Sequence, residues 1–310
     1  MSVVSQVPSF TPTRIRTLAS DYAQLTKMRV TTLIVMTAWC GFYFGALKNG
    51  VSSLSWSLFN ALLGIGLVSA GTAALNEVME YQIDARMRRT ANRPLPSGRM
   101  SLLHGTIAGV LLTVGGAFYL AVATNTLTGL LALATAFVYL AAYTPLKRLH
   151  PICTFVGAIP GAMPGVLGWT AARGRLELGA LIMFAIVFFW QFPHFYSIAW
   201  LYREDYAAGD IRMLPVFEED GKTTGRQIVA YSLALIPVSL APTIFEMSGK
   251  IYAIGAIVMG IALCYFGARL ARLGLPMNAP RSKQQARHLL RASIIYLPLL
   301  FALMMINGVK

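Results

Sequence analysis

Charge is scarce in this sequence. Asp, Glu, Lys and Arg make up 12% of its 310 residues, where soluble globular domains carry about 25%. A chain this poor in charge does not fit an ordinary water-soluble protein. Cysteine is rarer still. Cys40, Cys153 and Cys264 lie far apart, in or beside apolar segments, with no spacing that suits a metal site or covalent heme attachment. They read as packing residues. A cleavable leader is not expected either. The first residues are rich in Ser, Thr and Pro, and the first long apolar run begins only near Val30, as expected of a retained span.

What is present is mostly apolar. Hydrophobic residues make up 56% of the chain and the mean hydropathy is +0.61. Nine apolar segments fall at 30–47, 57–79, 102–123, 126–143, 152–171, 178–200, 227–247, 251–268 and 289–307. Each suits one crossing of a bilayer, which takes about 20 residues. Gly and Ala recur inside them, as at Gly64, Gly66, Ala70, Gly71, Gly115 and Gly116, and small residues let membrane helices pack closely. Pro237 and Pro298 lie within apolar runs, where membrane helices tolerate kinks. The reading is an all-α polytopic membrane protein with nine transmembrane helices in one bundle. It has a disordered N-terminal tail over 1–25, a single domain over 26–310 and two functional cytoplasmic loops.

The net charge is +14, and topology explains it. With the N-terminus inside, the inside segments hold Arg14, Arg16, Lys27 and Arg29; Arg86, Arg88, Arg89, Arg93 and Arg99; Lys147 and Arg148; Arg203, Arg212, Lys222 and Arg226; and Arg269, Arg272, Arg281, Lys283, Arg287 and Arg291. The outside keeps Lys48, Arg173, Arg175, Lys250 and Lys310. So strong a bias sets the N-terminus in the cytoplasm and the C-terminus outside, in the cell's inner membrane. Nucleic acid is not a partner, because the basic residues are spread over five inside segments. Membrane lipid is.

The acidic residues are concentrated instead. Of 12, nine lie in two inside stretches, 76–100 and 202–226: Glu77, Glu80 and Asp84, then Glu204, Asp205, Asp210, Glu218, Glu219 and Asp220. Asn76, Glu80 and Asp84 are spaced i, i+4, i+8, one stripe of a helix at about 6 Å per step. Oxygen ligands in such a row suit Mg²⁺, which takes carboxylates together with substrate phosphates. Arg86, Arg88, Arg89 and Arg93 follow at once, and guanidinium forks suit the remaining phosphate oxygens. Glu204 and Asp205, beside Arg203, are candidates for a second metal contact, whereas Glu218, Glu219 and Asp220 read as solvated loop residues. Tyr143, Lys147 and Arg148 end an inside helix, either as an interfacial belt or as substrate contacts. His194 is an ionisable residue inside an apolar helix, hence a functional candidate, against the alternative of a packing histidine bonded to a backbone carbonyl. The middles of the apolar segments are almost free of charge, unlike those of transporters, which place charges at the midplane.

These residues carry a resemblance. Asn76, Glu80 and Asp84 resemble the N-x-x-x-D-x-x-x-D motif of the intramembrane aromatic prenyltransferases. The strings DARMRRTANRPLPSG (84–98), YTPLKR (143–148), GAIPGAMPGVLGW (157–169), WQFPHF (190–195) and YREDYAAGDIRMLPV (202–216) are similar, in order, to landmarks of the heme O synthase branch. The likeness spans about residues 25–305. Glu80 stands where that family usually has Asp, Met28 where Pro is common, and Gly165 where a second Pro often follows Pro164. The second loop lacks D-x-x-x-D, since Gly209 stands four residues after Asp205; the heme O branch shares this. The resemblance implies Mg²⁺-assisted transfer of farnesyl from farnesyl diphosphate to a vinyl group of heme b, with water added. It places Asn76, Glu80, Asp84, Lys147 and Asp205 in catalysis, with Glu204 as a further metal ligand. Arg86, Arg89, Arg93, Lys147, Arg148 and Arg203 would hold diphosphate. Tyr143, Trp190 and His194 would meet the allylic cation or the heme. A downstream heme-modifying enzyme is the expected protein partner. The rival readings are a related prenyltransferase with a phenolic, naphthoate or chlorophyll-type acceptor, and a transporter.

Overall fold

A computed structural model describes residues 12–47 and 54–309. Apart from one bridge pair, Ser248 with Gly308, regular structure among the described residues is helical. The helices are α1 (Pro12–Leu25), α2 (Met28–Leu47), α3 (Trp56–Asp84), α4 (Leu102–Ala123), α5 (Thr126–Phe137), a π-helical turn η1 (Val138–Tyr143), α6 (Thr144–Leu146), α7 (Cys153–Arg173), α8 (Leu178–Leu201), α9 (Arg203–Ala208), α10 (Leu214–Phe217), α11 (Lys222–Ile244), α12 (Lys250–Ala271) and α13 (Pro280–Ile306). Among the described residues, nine spans are long and apolar enough to cross a membrane: α2, α3, α4, Thr126–Leu146 taken as one, α7, α8, α11, α12 and α13. They match the nine segments in number and order. Lys48 and Lys310 of the charge argument lie outside the described residues.

Three helices outrun their apolar segments by five residues or more. α3 continues to Asp84, not 79; α11 begins at Lys222, not 227; α13 begins at Pro280, not 289. A hydropathy reading stops where polar residues begin, but the polar end of α3 stays helical because its side chains are buried and bonded. So residues 76–84 belong to the bundle and the first inside loop is shorter than expected. The tail is corrected too. Residues 12–25 form α1, and residues 1–11 lie outside the described residues. Leu25 is fully buried and clusters with Ala74 and Leu95, and Asp21 accepts from Arg99 Nε at 2.9 Å. The polar composition concealed an amphipathic helix.

Close packing depends on small residues. A Cβ on Gly168 would lie 1.9 Å from the Ala38 carbonyl oxygen, and one on Gly41 would lie 2.0 Å from that of Gly165. Helices α2 and α7 therefore touch backbone to backbone, as small residues allow in membranes. The largest core cluster joins α7, α8, α11, α12 and α13, while α3, α4 and α5 pack around Ile65, Ala117, Leu120 and Ala132.

Candidate active site

The last turns of α3 bury four polar side chains: Asn76, Glu77, Glu80 and Asp84. Buried charge is costly unless paired and hydrogen-bonded, and partners arrive from three directions. Lys27, between α1 and α2, donates from Nζ to Asn76 Oδ1 at 2.7 Å. Lys147, just after α6, holds Glu80 Oε1 at 2.5 Å. Arg93, in the loop after α3, holds Asp84 Oδ2 at 2.6 Å. The expected stripe is thus real, with one cation on each member.

A second layer fixes these groups. Asn76 Nδ2 donates to Thr144 Oγ1 at 3.1 Å, and Thr144 Oγ1 donates to Tyr139 O at 2.9 Å. That link closes the π-helical turn, a form frequent at functional sites. Lys147 Nζ lies 4.7 Å from the centroid of the Tyr143 ring, within cation–π range. The Lys147 carbonyl accepts the Arg212 N–H at 2.7 Å, tying in the second acidic loop. Thr90 Oγ1 donates to the Asp84 carbonyl at 2.9 Å. Glu77 Oε1 accepts the Leu95 N–H at 3.2 Å, while its Oε2 is buried with no hydrogen-bond partner among the described residues.

The cations respond differently to this setting. Burial, then the charges of Arg93 and Lys147, lower Lys27 to about 8, against a partial pull from Glu80 and Asp84. Burial works against Lys147 as well, but the Glu80 carboxylate outweighs it and holds the ammonium above its usual range. Tyr206 of α9 is raised, by burial first, with Arg89, Lys147 and Arg93 opposing.

Not every expected site residue joins the stripe. Arg93, Lys147 and Tyr143 do. Arg89 lies with its guanidinium 5.5 Å over the Tyr202 ring, so it reaches the second loop. Arg86 and Arg148 are exposed, and Arg203 is half-buried at the start of α9. Glu204, the further metal candidate, is 70% exposed and pairs with Lys283 of α13 at 2.9 Å. Asp205 is half-buried in the first turn of α9. Trp190 and His194 sit where α8 meets α13. Trp190 Nε1 donates to the Ser293 carbonyl at 2.8 Å, His194 Nδ1 bonds Ser293 Oγ at 2.9 Å, and the two rings stack at 4.8 Å. Lys27, Thr144 and Tyr206 were missed as site residues. Lys27 read as a topology charge; its only signal was a cation placed directly before an apolar run.

Among the described residues no three of His, Cys, Asp and Glu converge as a ready-made metal cluster. The donors nonetheless fit a hard cation. The stripe offers an amide and two carboxylates, each ion pair engages one carboxylate oxygen, and all the donors are oxygen, as Mg²⁺ prefers.

The UbiA prenyltransferase family profile matches residues 33–295. The chain belongs to the UbiA prenyltransferase family. It is an enzyme, a membrane-embedded prenyltransferase, which sets the transporter reading aside. A relative named protoheme IX farnesyltransferase, from Koribacter versatilis (strain Ellin345), is 57% identical over 307 residues, 99% of each chain. Among solved UbiA-like structures, one described as digeranylgeranylglyceryl phosphate synthase matches with a TM-score of 0.72 at 16% identity, covering 93% of this chain and 98% of that one. A UbiA homologue from Archaeoglobus fulgidus bound to DMAPP and Mg²⁺ matches with a TM-score of 0.60 at 16% identity, covering 92% and 99%. These structural likenesses bear on the fold.

Proposed function

We propose that this UbiA-family enzyme transfers farnesyl from farnesyl diphosphate to a vinyl group of heme b, with water added, giving heme O and diphosphate. The observation that carries the reading is the buried stripe of Asn76, Glu80 and Asp84, each member met by one cation at the polar end of an apolar bundle. A bare carboxylate stripe would repel diphosphate, and bare cations would not hold a metal; the paired set can exchange both at once. The relative named protoheme IX farnesyltransferase supports heme as the acceptor.

In this reading Asn76, Glu80 and Asp84 hold Mg²⁺, with Asp205 approaching from the second loop. The metal, when bound, supplies Lewis acidity that stabilises charge on the departing diphosphate. Lys147 and Arg93 turn from the stripe to phosphate oxygens, and Arg86, Arg89, Arg148 and Arg203 surround the polar entrance. The allylic C1–O bond breaks with its electron pair on diphosphate. C1 then bonds the terminal vinyl carbon, and water oxygen bonds the adjacent carbon and loses a proton. The Tyr143 ring beside Lys147 offers an aromatic face to the cation, and the apolar bundle keeps water from quenching it early. Trp190 and His194 belong to the heme side. Ser293 Oγ donates to the Leu290 carbonyl at 2.7 Å, so its hydroxyl proton is used and His194 Nδ1 is the donor in their bond. The neutral imidazole then presents an Nε2 lone pair, able to meet heme iron or a substrate hydrogen. The site faces the cytoplasm of the cell's inner membrane, with the C-terminus outside, and the product passes to a downstream heme-modifying enzyme.

Turnover by the purified chain in detergent tests this. With heme b, farnesyl diphosphate and Mg²⁺, a heme heavier by farnesyl plus water is expected, and it should vanish in Asp84→Ala and with EDTA. Prenylation of a phenolic acceptor but not of heme would overturn the acceptor and keep the chemistry.

A further inference from the structure

We propose that Lys27 is a ligand of the substrate's diphosphate, held on Asn76 until that anion arrives. This rests on the prenyl diphosphate reading above and extends it to a residue outside both acidic loops.

Three cations crowd one stripe, but they are not alike. Lys147 and Arg93 each meet a carboxylate. Lys27 meets a neutral amide oxygen. An ammonium has three N–H donors, and an amide oxygen returns no charge. Glu77, next to Asn76, directs its Oε1 to the Leu95 N–H rather than to a cation. Set beside Lys147 and Arg93, the Lys27 charge is therefore the one of the three without a direct counter-charge among the described residues. A polyanion at the stripe would complete it.

The backbone favours a built site over an incidental lysine. Lys27 has φ 46, a left-handed conformation that non-glycine residues seldom adopt and that clusters at functional sites. It lies at the tight junction of two helices: its N–H donates to Gln24 O at 3.0 Å, and its carbonyl accepts from Val30 at 2.8 Å and Thr31 at 3.1 Å. A lysine serving only as an interfacial anchor needs no such conformation. Arg29, two residues on, is exposed and fills that role.

Arrival of diphosphate exchanges an N–H···O=C bond for a stronger N–H···O–P bond to a charged acceptor. The same movement releases Asn76 Oδ1 to the metal side. Lys27 thus couples capture of the anion to exposure of a stripe oxygen.

The test is calorimetric titration of the full chain in detergent with Mg²⁺ and either inorganic pyrophosphate or farnesyl thiodiphosphate, whose sulfur bridge resists ionisation. Lys27→Gln should weaken both by about tenfold to a hundredfold, the size of one charge-assisted hydrogen bond. Lys27→Arg should recover most of that affinity. KM for heme b should stay unchanged, and the ligand-free melting temperature should hold or rise. Lys27→Met, which keeps the apolar stem, decides by the same criteria where Gln impairs folding. Wild-type pyrophosphate affinity in both uncharged variants overturns the assignment. So does a lowered melting temperature with parallel loss of heme and diphosphate binding, which marks a structural role. Failure of the wild-type chain to bind either probe overturns the diphosphate reading itself, and the Lys27 assignment with it.

Discussion

Glu177, at the start of α8, illustrates what one residue can hold. It accepts from Arg173 Nε at 2.9 Å, Arg175 Nε at 2.7 Å and Trp169 Nε1 at 3.0 Å. The Arg173 bonds, more than any other cause, bring its carboxyl down to about 2. A depressed carboxyl adds stability above its usual value near 4.5, and that stability is lost as pH falls toward 2. Glu177→Gln should cost about 1–2 kcal/mol near pH 7, after allowance for partial exposure. The gap in melting temperature between wild type and variant should narrow as pH drops from 4.5 toward 2. The acceptors of the stripe were legible in the sequence because Asn76, Glu80 and Asp84 repeat at helical spacing. Their partners were not: Lys27 lies 49 residues from Asn76, and Thr144 lies 68.

Among the elements, α2 and α7 are the pair with least slack. Gly168→Ala would set a methyl 1.9 Å from the Ala38 carbonyl oxygen, which cannot move without shifting its helix. A loss of about 2–3 kcal/mol is expected, read as a lower melting temperature in detergent. Gly115 of α4 has open space where its Cβ would sit, so Gly115→Ala should be neutral or slightly stabilising. The apolar segments located all nine spans. Hydropathy could not show that α3 stays helical to Asp84, because that depends on cations supplied by other elements. It could not show the π-helical turn at 138–143 either, since the bonds that settle Thr144 and Tyr139 involve α3.

For the whole molecule the decisive prediction concerns topology. Ser97, in the loop after α3, and Leu176, between α7 and α8, are both exposed and should face opposite sides. A membrane-impermeant maleimide should label Leu176→Cys in intact cells and Ser97→Cys only in inverted vesicles, with the unsubstituted chain correcting for Cys264. The reverse pattern would put the active site outside. The order of the spans follows from sequence by itself, because insertion depends on local hydropathy, and the orientation put to this test is argued from Lys and Arg near helix ends. Only the tertiary structure decided which polar groups meet. Lys147 finds Glu80, Glu204 turns to Lys283, and His194 turns to Ser293. Each pairing joins residues far apart in the chain, and a polar side chain takes whatever partner the packed bundle brings within reach.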